Sequence, residues 1–180
     1  MPEPTPRMTL VLGGARSGKS AYAEGVIEAC SGPWLYLATA QAFDDEMVDR
    51  IAQHRARRAG AWRTRDVPLA LPEAVAEAEG PVLVDCLTLW LTNLILAEAD
   101  LEDATVRLIA ACAGAPGPLV LVGNEVGLGI VPDNALARRF RDAAGRLHQR
   151  LATEADRVVL TVAGLPLIVK PQATFSGAPA

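Results

Sequence analysis

The eight residues Gly13-Gly14-Ala15-Arg16-Ser17-Gly18-Lys19-Ser20 constrain this chain more than any other segment, because they satisfy G-x-x-x-x-G-K-[ST]. Glycines there let backbone N–H groups turn inward around phosphate oxygens, and a following helix presents its positive end to them. Lys19 has the reach for the β- and γ-phosphates of a nucleoside triphosphate, and the Ser20 hydroxyl suits Mg²⁺. The context agrees. Met8 to Gly13 is an apolar run rich in strand formers, and a helical pattern follows through about Cys30. At average residue usage such a match arises by chance in under ~1% of chains this long. A plain glycine turn with a surface lysine therefore explains the segment less well than a phosphate loop.

Apolar runs and helical stretches alternate along the rest of the chain. Trp34–Ala40, Trp62–Val67, Pro81–Cys86, Leu119–Gly123 and Arg157–Ala163 read as strands. Helices are expected over 44–58, 71–79, 88–98, 101–113 and 135–155, and a glycine-rich loop runs from Gly123 to Pro132. Near-continuous apolar strands mean burial on both faces, which predicts an α/β fold with a mostly parallel sheet flanked by helices. Residues 8–170 are expected to form one domain, after a disordered lead-in over 1–7 and before a loose tail over 171–180. Pro81–Ala99 is apolar enough to suggest a membrane span. It carries Asp85, Thr88, Thr92 and Asn93, however, and a charge there is costly in lipid, so it reads as a buried strand and helix.

The net charge of −4 supplies no global field for nucleic acid or an anionic membrane, so any phosphate site must be local. Three cysteines, Cys30, Cys86 and Cys112, show no metal-binding or disulfide spacing and read as buried free thiols in a reducing cytoplasm. Met1 to Arg7 lacks the apolar core of a signal peptide.

A phosphate loop usually works with an acid on a nearby strand. Asp85 ends the run Pro81-Val82-Leu83-Val84 and so falls at the carboxyl edge, where open α/β sheets bind ligands. It could hold Mg²⁺ or cap the next helix. Glu125 falls at the same edge and could orient a nucleophile or close a turn. Of two histidines, His148 reads as a helix-surface residue. His54 shares one helical face with Met47 and Ile51, which suits a core position. It also stands among Arg50, Arg55, Arg57 and Arg58, where an uncharged imidazole could attack a phosphorus atom.

In sequence order, these segments resemble the bifunctional adenosylcobinamide kinase/adenosylcobinamide-phosphate guanylyltransferases of cobalamin synthesis. The likeness runs from about Leu10 to Lys170. It rests on GGARSGKS at 13–20, YLATA at 36–40, DDEM at 44–47 with Arg50, Ile51 and His54, and WRT at 62–64. VDCLT at 84–88, LTNL at 91–94, NEVGLGIVP at 124–132 and LARRFRD at 136–142 complete it. The resemblance implies a RecA-like P-loop NTPase core, assembled as a homotrimer. It implies phosphorylation of adenosylcobinamide by ATP or GTP, with Mg²⁺. GMP then passes from GTP to adenosylcobinamide phosphate through a histidine–GMP intermediate, releasing pyrophosphate and giving adenosylcobinamide-GDP. His54 matches the carrier position. Nucleotide contacts map onto Gly13 to Ser20, Ala38, Thr39, Ala40, Arg55, Ala56, Arg57, Arg58, Asp66 and Asp85. Lys19 acts in catalysis, with Ser20 and Asp85 at the metal. Asp66 and Asp85 stand where relatives often carry glutamate.

Two other readings compete. A single-activity P-loop kinase would need Lys19, Ser20 and an acid but not His54. A regulatory GTP-binding module would carry Asn-Lys-x-Asp after a strand, and Asn124-Glu125-Val126-Gly127 is not that.

Overall fold

The computed structural model describes residues 5–41 and 60–171. Their elements run β1 (Met8–Gly13), α1 (Lys19–Glu28), β2 (Trp34–Ala38), β3 (Trp62–Asp66), α2 (Leu71–Ala76) and β4 (Val82–Asp85). Then come α3 (Leu87–Leu96), α4 (Leu101–Ala113), β5 (Leu119–Asn124), α5 (Ala135–Glu154), β6 (Arg157–Val162) and β7 (Leu165–Lys170). The strands form one seven-stranded sheet in the order β3-β2-β4-β5-β1-β6-β7. Every pairing among β1 to β6 is parallel, and β7 returns antiparallel to β6.

The alternation of side chains along each strand splits the core in two. Leu10, Leu37, Val82, Val84, Leu119 and Leu121 face a cluster completed by Leu71, Trp90, Leu108, Leu147 and Leu151 from α2 to α5. Val11, Tyr36, Leu83, Val120 and Val122 face the other way, onto Ala23 and Ile27 of α1. Burying each large side chain contributes about 1.5–3 kcal/mol. The central strands are therefore mostly apolar, and chemistry gathers at their ends, while β3 at one end of the sheet is largely exposed.

The segment that resembled a membrane span is β4 followed by α3, and no helix among the described residues is long and apolar enough to cross a membrane. Helix starts follow local chemistry: Asp100 accepts from the N–H groups of Glu102 and Asp103, and Asn134 from that of Ala137.

Three expectations need correction. β7 was not expected at all, because Pro166 breaks the apolar run Leu165–Lys170; proline is tolerated here since β7 stands at the end of the sheet order. His148 is not on the surface: it is 7% exposed. Ala144, Leu147, His148 and Leu151 fall at i, i+3, i+4 and i+7, so α5 turns the imidazole inward with its leucines. Cys30 is only half-buried, whereas Cys86 and Cys112 are buried. The expected helix over 44–58 lies outside the described residues.

One buried amide ties the helical layer to the sheet. Asn93 Nδ2 on α3 donates to the carbonyl oxygens of Thr39 (2.8 Å) and Pro68 (2.9 Å). Asn93→Leu leaves both carbonyls unpaired and should cost about 2–4 kcal/mol, read as a lowered midpoint in urea unfolding with an unchanged slope.

Candidate active site

The carboxyl ends of the six parallel strands share one edge, and the sequence-marked residues gather there. Gly13 ends β1, Ala38 ends β2, Asp66 ends β3, Asp85 ends β4 and Asn124 ends β5. Ala38 pairs in register with Asp66 on one side and with Asp85 on the other. β5 stands between β1 and β4, so the phosphate-loop strand lies about 9–10 Å from the strand bearing Asp85.

Between β1 and α1 the chain makes the loop Gly14–Gly18. Arg16 and Gly18 take positive φ values of 56° and 91°, which turns successive N–H groups toward one side. Gly18 caps α1 without any side-chain hydrogen bond, leaving the first N–H groups of the helix for a ligand. Gly13 cannot carry a side chain, because a Cβ there would lie 2.3 Å from Thr161 Oγ1 and 2.4 Å from Ser17 Oγ. Lys19 Nζ donates to the Gly14 carbonyl (3.1 Å), so the ammonium lies over its own loop. Ser20 is half-buried in the first turn of α1.

Asp85 does not cap a helix side-on: Cys86 is the N-cap of α3, with no side-chain hydrogen bond. Instead Asp85 Oδ2 accepts from the Tyr36 hydroxyl (2.9 Å). Tyr36 was not singled out in the sequence, since an inward-facing strand tyrosine reads as core. Thr39, expected as a nucleotide contact, also holds the backbone of this edge together. It is 0% exposed. Its hydroxyl donates to the Cys86 carbonyl (2.7 Å) and accepts from the Cys86 N–H (2.8 Å). Its own N–H goes to the Asp85 carbonyl, and its carbonyl accepts from Asn93. Thr39 thus clamps the end of β2 to the β4–α3 junction, between the half-exposed Ala38 and Ala40.

Glu125 closes a turn, its Oε1 accepting from the Gly127 N–H, while its own N–H donates to the Gly13 carbonyl (3.0 Å). That bond keeps the acid beside the phosphate loop. Beneath it, Asn124 Nδ2 donates to the Thr88 hydroxyl (2.9 Å), which contacts the Cys86 thiol (3.2 Å). Burial, aided by the Asp85 carboxylate, pushes the Cys86 thiol up to about 11; Thr88, the Leu89 backbone and the Lys19 ammonium offset part of this. The thiol therefore stays protonated and is no nucleophile at neutral pH.

His54, Arg55, Ala56, Arg57 and Arg58 lie outside the described residues. Ser20 and Asp85 offer one hydroxyl and one carboxylate oxygen at this edge. That set fits Mg²⁺, which takes one or two protein ligands beside nucleotide phosphates and keeps its remaining waters.

Comparison with known proteins shows the family. Residues 9–169 match the family model described as cobinamide kinase / cobinamide phosphate guanyltransferase. The chain belongs to this family. The bifunctional adenosylcobalamin biosynthesis protein CobP of Pseudomonas aeruginosa is 51% identical over 166 residues, covering 89% of this chain and 96% of that one. CobU of Salmonella typhimurium, with the same description, is 44% identical over 181 residues, covering 91% and 99%. Among solved structures, a type III secretion ATPase aligns with TM-score 0.52 at 12% identity, over 90% of this chain and 56% of that longer one. A protein from Pyrococcus horikoshii OT3 aligns with TM-score 0.51 at 8% identity, over 93% and 87%. These share the fold. The mostly parallel α/β sheet with flanking helices expected from the sequence is therefore the core of this cobinamide kinase / guanyltransferase family member.

In this family member the second histidine is held neutral. Burial lowers the pKa of His148, and the nearby Glu125 carboxylate opposes that only in part. His148 Nε2 is buried with no hydrogen-bond partner among the described residues. A folded-state pKa below the unfolded value gives stability that is present above about pH 6.5 and lost as pH falls through the folded pKa. His148→Leu should therefore flatten the decline of melting temperature between pH 6.5 and pH 5, measured against wild type in the same buffers.

Proposed function

We propose that this chain carries out, at the one sheet edge described above, the two transfers for which its family is named. The observation that carries the reading is the phosphate loop at the head of α1, set on the same edge as the register row Asp66–Ala38–Asp85. In the first transfer an adenosylcobinamide hydroxyl attacks the γ-phosphorus of ATP or GTP, and the nucleoside diphosphate leaves. The loop N–H groups and Lys19 stabilise the charge that develops on the phosphoryl oxygens. Ser20 and Asp85 would hold Mg²⁺, which would neutralise phosphate charge when bound. Tyr36 fixes the orientation of the Asp85 carboxylate, and Ala38 and Ala40 supply the half-exposed backbone against which a nucleotide rests.

The second transfer needs attack at the α-phosphorus of GTP, with pyrophosphate leaving. The His54 imidazole forms a bond to that phosphorus, and a phosphate oxygen of adenosylcobinamide phosphate then displaces it, giving adenosylcobinamide-GDP. Passing through an enzyme nucleophile splits one displacement into two easier ones. Arg50 and Arg58, one helical turn either side of His54 in the expected helix, suit the α-phosphate oxygens, and Arg55, Ala56, Arg57 and Asp66 complete the nucleotide contacts. His148 is the other histidine, and its burial on α5 argues against it as the carrier.

The same reading makes the chain a cytoplasmic homotrimer with no nucleic-acid partner and no membrane span. Support for assembly comes from apolar side chains left in solvent: Leu128 is 84% exposed, Ile130 98% and Val131 64%, and Leu165, Leu167 and Val169 line β7.

Two measurements test this. Lys19→Ala should reduce cobinamide phosphorylation on the order of 10³-fold, while His54→Ala keeps that activity within about tenfold of wild type and forms no adenosylcobinamide-GDP. Equal loss of both activities in folded His54→Ala would place the histidine in a shared role instead. Light scattering coupled to size exclusion should return three times the 19.0 kDa chain mass; a monomer would remove the trimer from the account.

A further inference from the structure

The phosphate loop is held from outside by the hairpin that β6 and β7 form. Ala163 and Gly164 connect these strands with φ values of 52° and 79°, the two consecutive positive angles of a tight hairpin turn. Gly164 N–H donates to the Ser17 carbonyl (2.9 Å). A Cβ on Gly18 would lie 3.0 Å from Gly164 Cα, so the turn packs directly on the glycine that precedes Lys19.

Thr161 makes the second attachment. It is 1% exposed, and its hydroxyl donates to the Leu12 carbonyl (3.1 Å). A hydroxyl carries one hydrogen, so in the 2.9 Å contact between Ser17 and Thr161 the Ser17 hydroxyl must be the donor. The result is a directed relay from Ser17 O–H to Thr161 Oγ1, and from Thr161 O–H to the Leu12 carbonyl. Ser17 N–H donates to the Gly14 carbonyl (3.3 Å). Each polar group of Ser17 thus has a partner, and two of the three partners belong to the hairpin.

We infer that Thr161 is a positioning residue for the nucleotide, acting through Ser17 to fix the loop that leads into Gly18 and Lys19. This rests on the reading of Gly13–Ser20 as the triphosphate site. A loop whose N–H groups already point inward does not have to be ordered when the phosphates arrive, and that saving appears as nucleotide affinity. The relay depends on a hydroxyl at 161 rather than on bulk, so valine, of the same shape, breaks it and serine keeps it.

The test uses the full chain. GTP affinity is measured by titration calorimetry, alongside KM for nucleotide and for adenosylcobinamide and the melting temperature of each variant. Thr161→Val should weaken GTP binding about tenfold and raise nucleotide KM in step, leaving the cobinamide KM within about twofold. Thr161→Ser should restore wild-type affinity. Ser17→Ala removes the relay from the loop side while leaving Thr161 its bond to Leu12, and should show the same loss even where Thr161→Val folds poorly. The double variant should be no weaker than either single one, because one relay is broken in each. Wild-type GTP affinity in folded Ser17→Ala or Thr161→Val would overturn the inference. Lys19→Ala separates the two levels. If it too leaves GTP affinity and phosphorylation intact, the phosphate-site reading itself fails. If it alone loses them, only the role of Thr161 does.

Discussion

The parallel hydrogen-bond register of the sheet is the constraint on which the rest depends. Strands covered on both faces carry mainly apolar side chains, and parallel strands all finish at the same edge. Here Gly13, Ala38, Asp66, Asp85 and Asn124 each end a strand. A one-residue slip of β4 against β2 would unpair Asp85 from Ala38 and turn the Val84 side chain from the core of the helical layer to the face under α1. Register is therefore fixed by hydrophobic burial, and the positions of the site residues come with it.

Several small polar clamps sharpen what the register places. Thr39 locks the end of β2 to the turn after Asp85, Asn93 ties the Thr39 carbonyl to α3, and the Glu125 N–H holds Gly13 from the β5 side. All are buried or half-buried backbone bonds, so they hold geometry where side-chain ion pairs at the surface would not. The charge logic follows the same economy. An acidic chain of net charge −4 cannot attract phosphate globally, and among the described residues the phosphate loop gathers the Lys19 ammonium, a helix start and turned N–H groups at one place.

Much of this was legible in the sequence, because it is carried by local pattern. The glycine spacing of the loop, the apolar runs of β1, β4 and β5, and the helix starts at 101 and 135 each depend on neighbours in sequence. What escaped depends on neighbours in space. The resemblance marks Thr39 as a nucleotide contact, and nothing local announces its clamp, because its hydroxyl partner, the Cys86 backbone, lies 47 positions away. Tyr36 looked like core because Asp85 lies 49 positions away. β7 was hidden by Pro166, and His148 by the charged residues Arg146 and Arg150 beside it on a helix whose Leu147 and Leu151 turn inward with it.

The account stands on GTP reaching this edge and passing its α-phosphorus to one histidine. The most direct test incubates the wild-type chain with Mg²⁺ and GTP labelled at either the α- or the γ-phosphorus, then digests at alkaline pH, where a phosphoramidate survives. The account predicts α-label and no γ-label on the peptide carrying His54, lost on acid treatment. Label retained from the γ-phosphorus, or α-label on the peptide carrying His148, would contradict it.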